Sequence, residues 1–511
     1  MGGMIRAYEA AAVRAAEEPL LAATAPDELM KQAAFAVATE VLRELRRLGA
    51  RRSGSTVLLL VGGGNNGGDA LYAGGYLARR GLQVTAALCT DRPHERALVA
   101  ARRAGVRLHD VLDGATPRWE QLAALADRAG VWVDGLTGIG AQGGLREPLA
   151  GIVTALEERR ALMPDEPTVV AVDVPSGIGV DDGTVPGPVL RADVTVTMGA
   201  PKPGLLLRPA EEVAGRVAVV DIGLGPHLGE PAVRRLTAAD VADLLPVPVA
   251  TDHKYTRGVL GLVAGSTSYP GAAVLASAGA LRTGLGMVRY LGPDAVARLV
   301  HARFPEVVVG GGRVQAWTLG SGIDPDDGAR ADEVRDALQR ALADGVPAVL
   351  DAGALALAPE RLPANTVLTP HAGELARLLT TRGQETDRAE VEAAPLELAR
   401  RAAALTGAVV LLKGPTTIVA APGGAVLSQA DGTPWLATAG TGDVLSGVLG
   451  ALLALRGEDL TAERDPDGAL TAELAAAAAL VHGRAGAAAG GPLTALQVAD
   501  AVAAVVAGLL R

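Results

Sequence analysis

Asparagine and lysine are nearly missing from this chain. Its 511 residues include only three asparagines, and only four lysines within a Lys+Arg total of 47. Arginine can stand in for a surface lysine, but it cannot mimic a compact ammonium in a tight site. The residues that escaped this bias therefore mark places where chemistry is expected, with chance survival the plain alternative for any one of them. Two of the asparagines, Asn65 and Asn66, lie side by side in GGGNNGGD (62–69). Three of the lysines occupy short patterned stretches: APKPG (Lys202), DHKYTRG (Lys254) and LLKGPTT (Lys413).

Other absences exclude whole classes of function. A single cysteine, Cys89, rules out a disulfide framework and a Cys-rich zinc site. It ends the apolar run VTAALC and reads as a buried structural thiol. With a net charge of −10 and a pI near 5.4, no basic stripe is available to meet nucleic acid. The first residues carry acidic side chains and no long apolar region, so they do not read as a signal peptide. The late stretch ELAAAAALVHGRAG is interrupted by polar residues and reads as a buried helix, not a membrane span. A soluble, cytoplasmic protein is expected.

The length calls for more than one domain. Residues 8–47 have helical spacing. Strand and helix signals then alternate: TVLLLVG, a helix from about Asp69, LQVTAALC, a basic helix past Arg96, VWVDGLTG, TVVAVDVPSG, ADVTVTMGAP and GRVAVVDIG. Val/Ala/Leu runs ending in Gly, Asp or Ser predict parallel strands covered on both faces, a doubly wound α/β sheet. A Pro-rich passage at 226–252 marks the boundary. A second α/β series starts at GVLGLVAGS and closes with Ala-rich helices. No repeat aligns the halves, so two unrelated domains are expected, at 1–225 and 237–511.

Gly62, Gly64 and Gly67 satisfy the dinucleotide pattern G-x-G-x-x-G after a strand, and Asp91 follows at a suitable distance. An oxidoreductase is a poor fit, because Asn65, Asn66 and Asp69 set two amides and a carboxylate at the helix start. Such groups suit hard cations and ribose hydroxyls; an Asn-rich turn capped by Asp69 is the plainer alternative. VDGLTGIGAQG supplies Asp134 and a glycine loop, and VDVPSG supplies Asp173 and Ser176, all at strand ends that converge in an open sheet. In the second half, AGTGDVLSG (439–447) offers successive backbone N–H groups at a helix start and Asp443 as a base. LLKGPTT, TPHAGE (His371, Glu374), LDAGAL (Asp351) and LGSGID surround it in order.

NNGGD, VDGLTGIG, VDVPSG and GAPKPG, in this order, resemble the NAD(P)H-hydrate epimerase family over about residues 8–225, a Rossmann-like domain. The resemblance implies a potassium ion on Asn66, Asp134 and Ser176. It implies substrate contacts from Asn65, Asn66, Gly67, Gly68 and Asp69, from Gly138, Ile139, Gly140, Ala141, Gln142, Gly143 and Gly144, and from Asp173. For proton transfer Asp134 is the first candidate and Lys202 the second. The GTGD turn is similar to that of ribokinase-like kinases, and the whole set resembles the ADP-dependent NAD(P)H-hydrate dehydratases over about 237–511. That resemblance implies Ala273, Gly322, His371 and Asp443 against the hydrated nucleotide, and Lys413, Gly414, Pro415, Thr416, Thr417 and Gly442 against ADP with Mg²⁺. DAGAL departs from the DADAL form of many relatives, so a second aspartate's role is missing here. The expected partners are NADHX, NADPHX, ADP and AMP, with no nucleic acid and no membrane, in a homo-oligomer. A small-molecule kinase with a Rossmann-like accessory domain is the main alternative; a nucleotide-sensing scaffold is a weaker one.

Overall fold

The computed structural model describes residues 3–49, 55–141 and 143–511. The chain forms two compact units, Arg6–Ala232 and a second that joins the residues before Arg6 to Val233–Arg511.

Among the described residues, the first unit holds a seven-stranded sheet. Its order is Arg216–Val220, Val194–Met198, Thr168–Val172, Val131–Gly135, Thr56–Val61, Gln83–Leu88 and Arg107–Asp110, all parallel. The inner strands Thr56–Val61 and Val131–Gly135 are almost continuously apolar, as burial on both faces requires. One face packs on the helices Glu28–Arg47 and Asn65–Ala78 through Val37, Val41, Leu71 and Leu77. The other is covered around Trp132, Ile152 and Leu156. The chain runs outward from Thr56–Val61 to one edge, then returns to Val131–Gly135 on its other side. The strand order therefore reverses between these two, and in an open α/β sheet a ligand crevice lies beyond such a reversal.

In the second unit an eleven-stranded sheet follows the same logic. From Val259–Val263 the chain steps outward through Met287–Leu291 to Val308–Val309, then returns to Ala316–Leu319 and continues through Ala348–Leu350, Thr366–Leu368 and Val409–Leu412 in parallel. Thr417–Ala420 and Val426–Gln429 turn back as an antiparallel ribbon, so LLKGPTTIVAAP turns a hairpin corner. The short strand starting at Ile5 and Val233–Arg235 complete that edge. The helices Gly271–Thr283 and Thr441–Leu455 cross closely because Gly447 faces the Ala276 carbonyl and Gly279 faces that of Val444; a Cβ at either would stand 2.1 and 2.4 Å from those oxygens. No described helix is long and apolar enough to cross a membrane, and Cys89 is buried and free.

Candidate active sites

The asparagine pair is not loop. The helix Asn65–Ala78 starts at Asn65, with Gly64 as its extended N-cap, so Asn65, Asn66, Gly67 and Gly68 form its first turn. The expected start near Asp69 is corrected by one turn. Glycine suits that turn because a Cβ on Gly67 would lie 2.1 Å from the Gly62 carbonyl, and one on Gly68 2.8 Å from the Met30 sulfur. Gly62 is equally constrained, its added Cβ falling 1.9 Å from the Leu136 carbonyl across the strand reversal.

At that reversal three strand ends are tied together. Asn66 Nδ2 donates to the carbonyls of Thr137 (2.9 Å) and Val172 (2.6 Å). Asp134 is wholly buried and accepts Ser176 Oγ at 2.7 Å, Ser176 N at 2.8 Å and Leu136 N at 3.2 Å. Ser176 Oγ in turn accepts Thr137 N at 2.9 Å. Burial pushes the Asp134 carboxyl up to about 6 against the three bonds that hold it down. Asn66, Asp134 and Ser176 are thus brought together, with the carbonyls of Thr137 and Val172 beside the amide. Side-chain and carbonyl oxygens gathered in this way are the chemistry that suits a hard monovalent cation. The oxygens of Asn66, Asp134 and Ser176 fit such an ion by their chemistry. Both Asp134 oxygens are occupied, however, which suits a group that holds loops better than one that exchanges protons.

Ile139, Gly140, Ala141, Gly143 and Gly144 follow in the loop after Gly138, where a Cβ would meet Asn66 Oδ1 at 2.3 Å. Gln142 lies outside the described residues. Asp173 sits one strand over at φ +67°, a left-handed conformation rare for a residue with a side chain. Its Oδ1 takes Lys202 Nζ in a buried ion pair and accepts Thr197 Oγ1 and Met198 N, both at 3.1 Å. Lys202 is 1% exposed and also donates to Thr197 Oγ1 and the Met198 carbonyl, each at 3.0 Å. Asp69 is buried, with Oδ1 lacking any hydrogen-bond partner. Burial, then the charges of Asp173 and Glu17, push its carboxyl well above the usual range. Sequence reasoning missed Glu17. Nothing in its surroundings sets it apart from the other acidic residues of the first helix.

In the second unit the hub is Asp351. Its Oδ1 accepts Lys413 Nζ and Thr369 Oγ1, both at 2.8 Å; its Oδ2 accepts Ser321 Oγ at 2.8 Å and Ser446 Oγ at 2.7 Å. One carboxylate thus joins LGSG, LDAGAL, TPHAGE, LLKG and the GTGD helix. Burial opposes its charge, but Lys413 and the hydroxyls hold it below the usual carboxylate range. Burial likewise opposes the Lys413 ammonium, and Asp351 and Glu374 outweigh it, raising its pKa. Lys413 Nζ is 3.8 Å from Glu374 and lies over Gly442, whose added Cβ would meet it at 3.7 Å. Asp443, in the first turn after Gly440 (φ +90°), is raised to about 7 by burial and by Asp351, with Lys413 opposing. That is the range a general base needs at neutral pH.

His371 caps the helix Ala372–Thr381, its Nδ1 accepting Gly373 N and Glu374 N at 3.1 and 3.2 Å while its backbone N donates to Glu374 at 2.9 Å. Burial lowers its pKa. Ala273 is fully buried, its methyl facing Gly265, so any ligand contact there must be made by backbone. Gly322 adopts φ +66° with Ala272 close beside it. Gly414 and Pro415 form the exposed hairpin corner, Thr416 is buried and Thr417 opens the return strand. Lys254 is exposed, stacked over Tyr255, and joins neither site. His482 was also missed. It lies in the helix Ala469–Ala489, hydrogen-bonded to the backbone of Thr441, with burial lowering it to about 4 and Nε2 unpartnered.

Comparison with known proteins agrees with this division. Residues 260–501 match the NAD(P)H-hydrate dehydratase family model and residues 26–204 the YjeF-related protein N-terminus model. The bifunctional NAD(P)H-hydrate repair enzyme Nnr of Mycobacterium tuberculosis is 41% identical over 459 residues, 88% of this chain and 89% of that one. The Corynebacterium glutamicum Nnr is 33% identical over 86% of each. Among solved structures, the ADP/ATP-dependent NAD(P)H-hydrate dehydratase of Bacillus subtilis, co-crystallized with ATP/Mg²⁺, is 28% identical with a TM-score of 0.46, covering 53% of this chain and 97% of its own. By the two family models and the identity to the Nnr enzymes, the chain belongs to the family of bifunctional NAD(P)H-hydrate repair enzymes.

Proposed function

We propose that the Arg6–Ala232 unit equilibrates the R and S hydrates of NADH and NADPH, and that the Val233–Arg511 unit dehydrates the S form while converting ADP to AMP and phosphate. The observation that carries this reading is Asp443, poised near neutrality beside Lys413 over the Gly442 backbone. Asp443 takes the proton of the C6 hydroxyl as that oxygen attacks the terminal phosphate of ADP and AMP departs. Phosphate then leaves C6, pushed by the ring nitrogen, with loss of a C5 proton. Water leaves poorly and phosphate leaves well, so the nucleotide is consumed to make the leaving group. Lys413 and the backbone N–H groups of residues 440–442 meet the charge that develops on the phosphate. Mg²⁺ bound with ADP supplies further positive charge there.

In the first unit, potassium would be held by Asn66, Asp134 and Ser176, where it supplies a fixed positive charge beside the hydrated nucleotide. The helix start at Asn65 and the loop from Gly138 bind the phosphates and ribose. A cytoplasmic homo-oligomer goes with this reading. Fusion of the two units has a chemical logic, because a dehydratase alone would strand the R form.

The kinase alternative gives a stable phosphorylated product. The test is incubation of mixed R,S-NADH hydrate with ADP, Mg²⁺ and K⁺. Recovery of the NADH band with matching release of free phosphate supports the proposal. A phosphorylated product that persists, with no recovery, selects the kinase.

A further inference from the structure

We propose that Asp69 is the proton-donating acid of the first unit and that Glu17, on the helix Ala10–Ala23, is the neighbouring carboxylate that keeps it in the acid form. The proposal rests on reading that unit as the hydrate epimerase. Four ionisable side chains from separate elements act on one another here: Glu17 from the first helix, Asp69 from the asparagine helix, Asp173 after one strand and Lys202 after the next. Asp173 and Lys202 neutralise one another in a buried pair. Asp69 has no such partner, and its Oδ1 is buried without a hydrogen bond. A carboxylate cannot remain ionised and unpaired in such a place, so the group is kept as the neutral acid. The charges around it work in the same direction: burial raises Asp69 first, then Asp173 and Glu17. Glu17 is only partly buried and is itself raised by burial and by Asp173, against Lys202 and Arg14. It stands between Asp69 and solvent in accessibility. Asp134, by contrast, has both oxygens engaged by Ser176 and Leu136.

Epimerisation at C6 needs one bond to open and close. Neutral Asp69 gives its proton to the ring nitrogen as the C6–N bond breaks, and the bonding pair goes to nitrogen. The C6 hydroxyl proton passes to the Asp173 carboxylate, and the O–H pair becomes the second C–O bond of an aldehyde. Rotation about C5–C6 presents the other face, and the same transfers in reverse close the ring. Nothing is oxidised or reduced, and the acid and base are restored.

The test follows pure (S)-NADH hydrate in K⁺ without ADP, measuring the R:S ratio with time across pH for the full chain, D69N and E17Q. Wild type is expected to lose rate on the alkaline side as Asp69 gives up its proton. D69N is expected to fall by about 100-fold or more while still dehydrating (S)-hydrate when ADP is added. E17Q removes a negative charge facing Asp69, so its alkaline limb is expected to move to lower pH. D69N within a few-fold of wild type overturns the proposal. If D69N unfolds its unit, E17Q decides: an unchanged profile overturns the proposal, and a shifted one supports it. Absence of epimerisation in wild type overturns the epimerase reading itself, and this proposal with it.

Discussion

Asp351 accepts the Lys413 ammonium at 2.8 Å while Ser321, Thr369 and Ser446 fill its remaining positions. A buried carboxylate satisfied in this way fixes the lysine head above the GTGD turn, and breaking the pair leaves an uncompensated charge. Asp351→Asn should therefore raise KM for ADP and lower kcat together, by about tenfold or more in dehydration, with epimerisation unchanged. Steady-state kinetics on (S)-hydrate would check it; normal kcat and KM would show that Lys413 does not depend on Asp351.

Asp443→Asn should reduce dehydration by about 100-fold or more. The same substitution should also stabilise the fold at pH 8. Asp443 is raised to about 7, so between its ordinary value and 7 the folded chain binds a proton that the unfolded chain releases. Stability conferred by that proton is present at low pH and is lost as pH rises through 7, leaving a buried charge above it. Asparagine carries no such charge, and a gain on the order of 1 to 3 kcal/mol is expected at pH 8, fading towards pH 4. Thermal unfolding of both chains across that range measures it.

Dehydration should itself depend on Asp443 ionisation. The base works only when deprotonated, so kcat/KM on (S)-hydrate should fall as pH drops through about 7. Removing the Asp351 charge, which raises Asp443, should move this acid limb to lower pH. A limb that stays in place in Asp351→Asn would separate the two carboxylates.

Asn66→Ala removes the amide that bridges the Thr137 and Val172 carbonyls. Stranding two acceptors should cost about 1 to 3 kcal/mol and abolish the dependence of epimerisation on K⁺. Titration of epimerase activity with KCl against a sodium control reads the second effect.

Gly447→Ala would force a methyl within 2.1 Å of the Ala276 carbonyl and push apart the helix that carries Asp443. Overpacking of this kind costs about 1 to 3 kcal/mol. Dehydration should fall and epimerisation should persist in the same preparation.

Much of this was legible in the residues, for reasons that can be named. Val-rich runs of strand length located the parallel strands because strands buried on both faces have no alternation to hide them. Scarcity singled out Lys202 and Lys413, which the structure pairs with the buried carboxylates of Asp173 and Asp351, and equally Lys254, which lies exposed on Tyr255. The third asparagine, Asn365, is structural, donating to the carbonyls of Gly345 and Leu460. Three glycines before Asn65 and Asn66 and two after them give the stretch the look of a loop, whereas packing of Gly67 and Gly68 against Gly62 and Met30 suits them to a helix. Glu17 and His482 could not be found from local pattern at all. Their significance comes from residues far away in sequence, and only the folded chain brings those together.

The most direct measurement starts from pure (R)-NADH hydrate with ADP, Mg²⁺ and K⁺. A single chain carrying both activities should restore the NADH absorbance completely, with matching free phosphate, faster than spontaneous epimerisation permits. Recovery limited to the spontaneous rate would contradict an epimerase in the first unit, and no recovery from either hydrate would contradict the account as a whole.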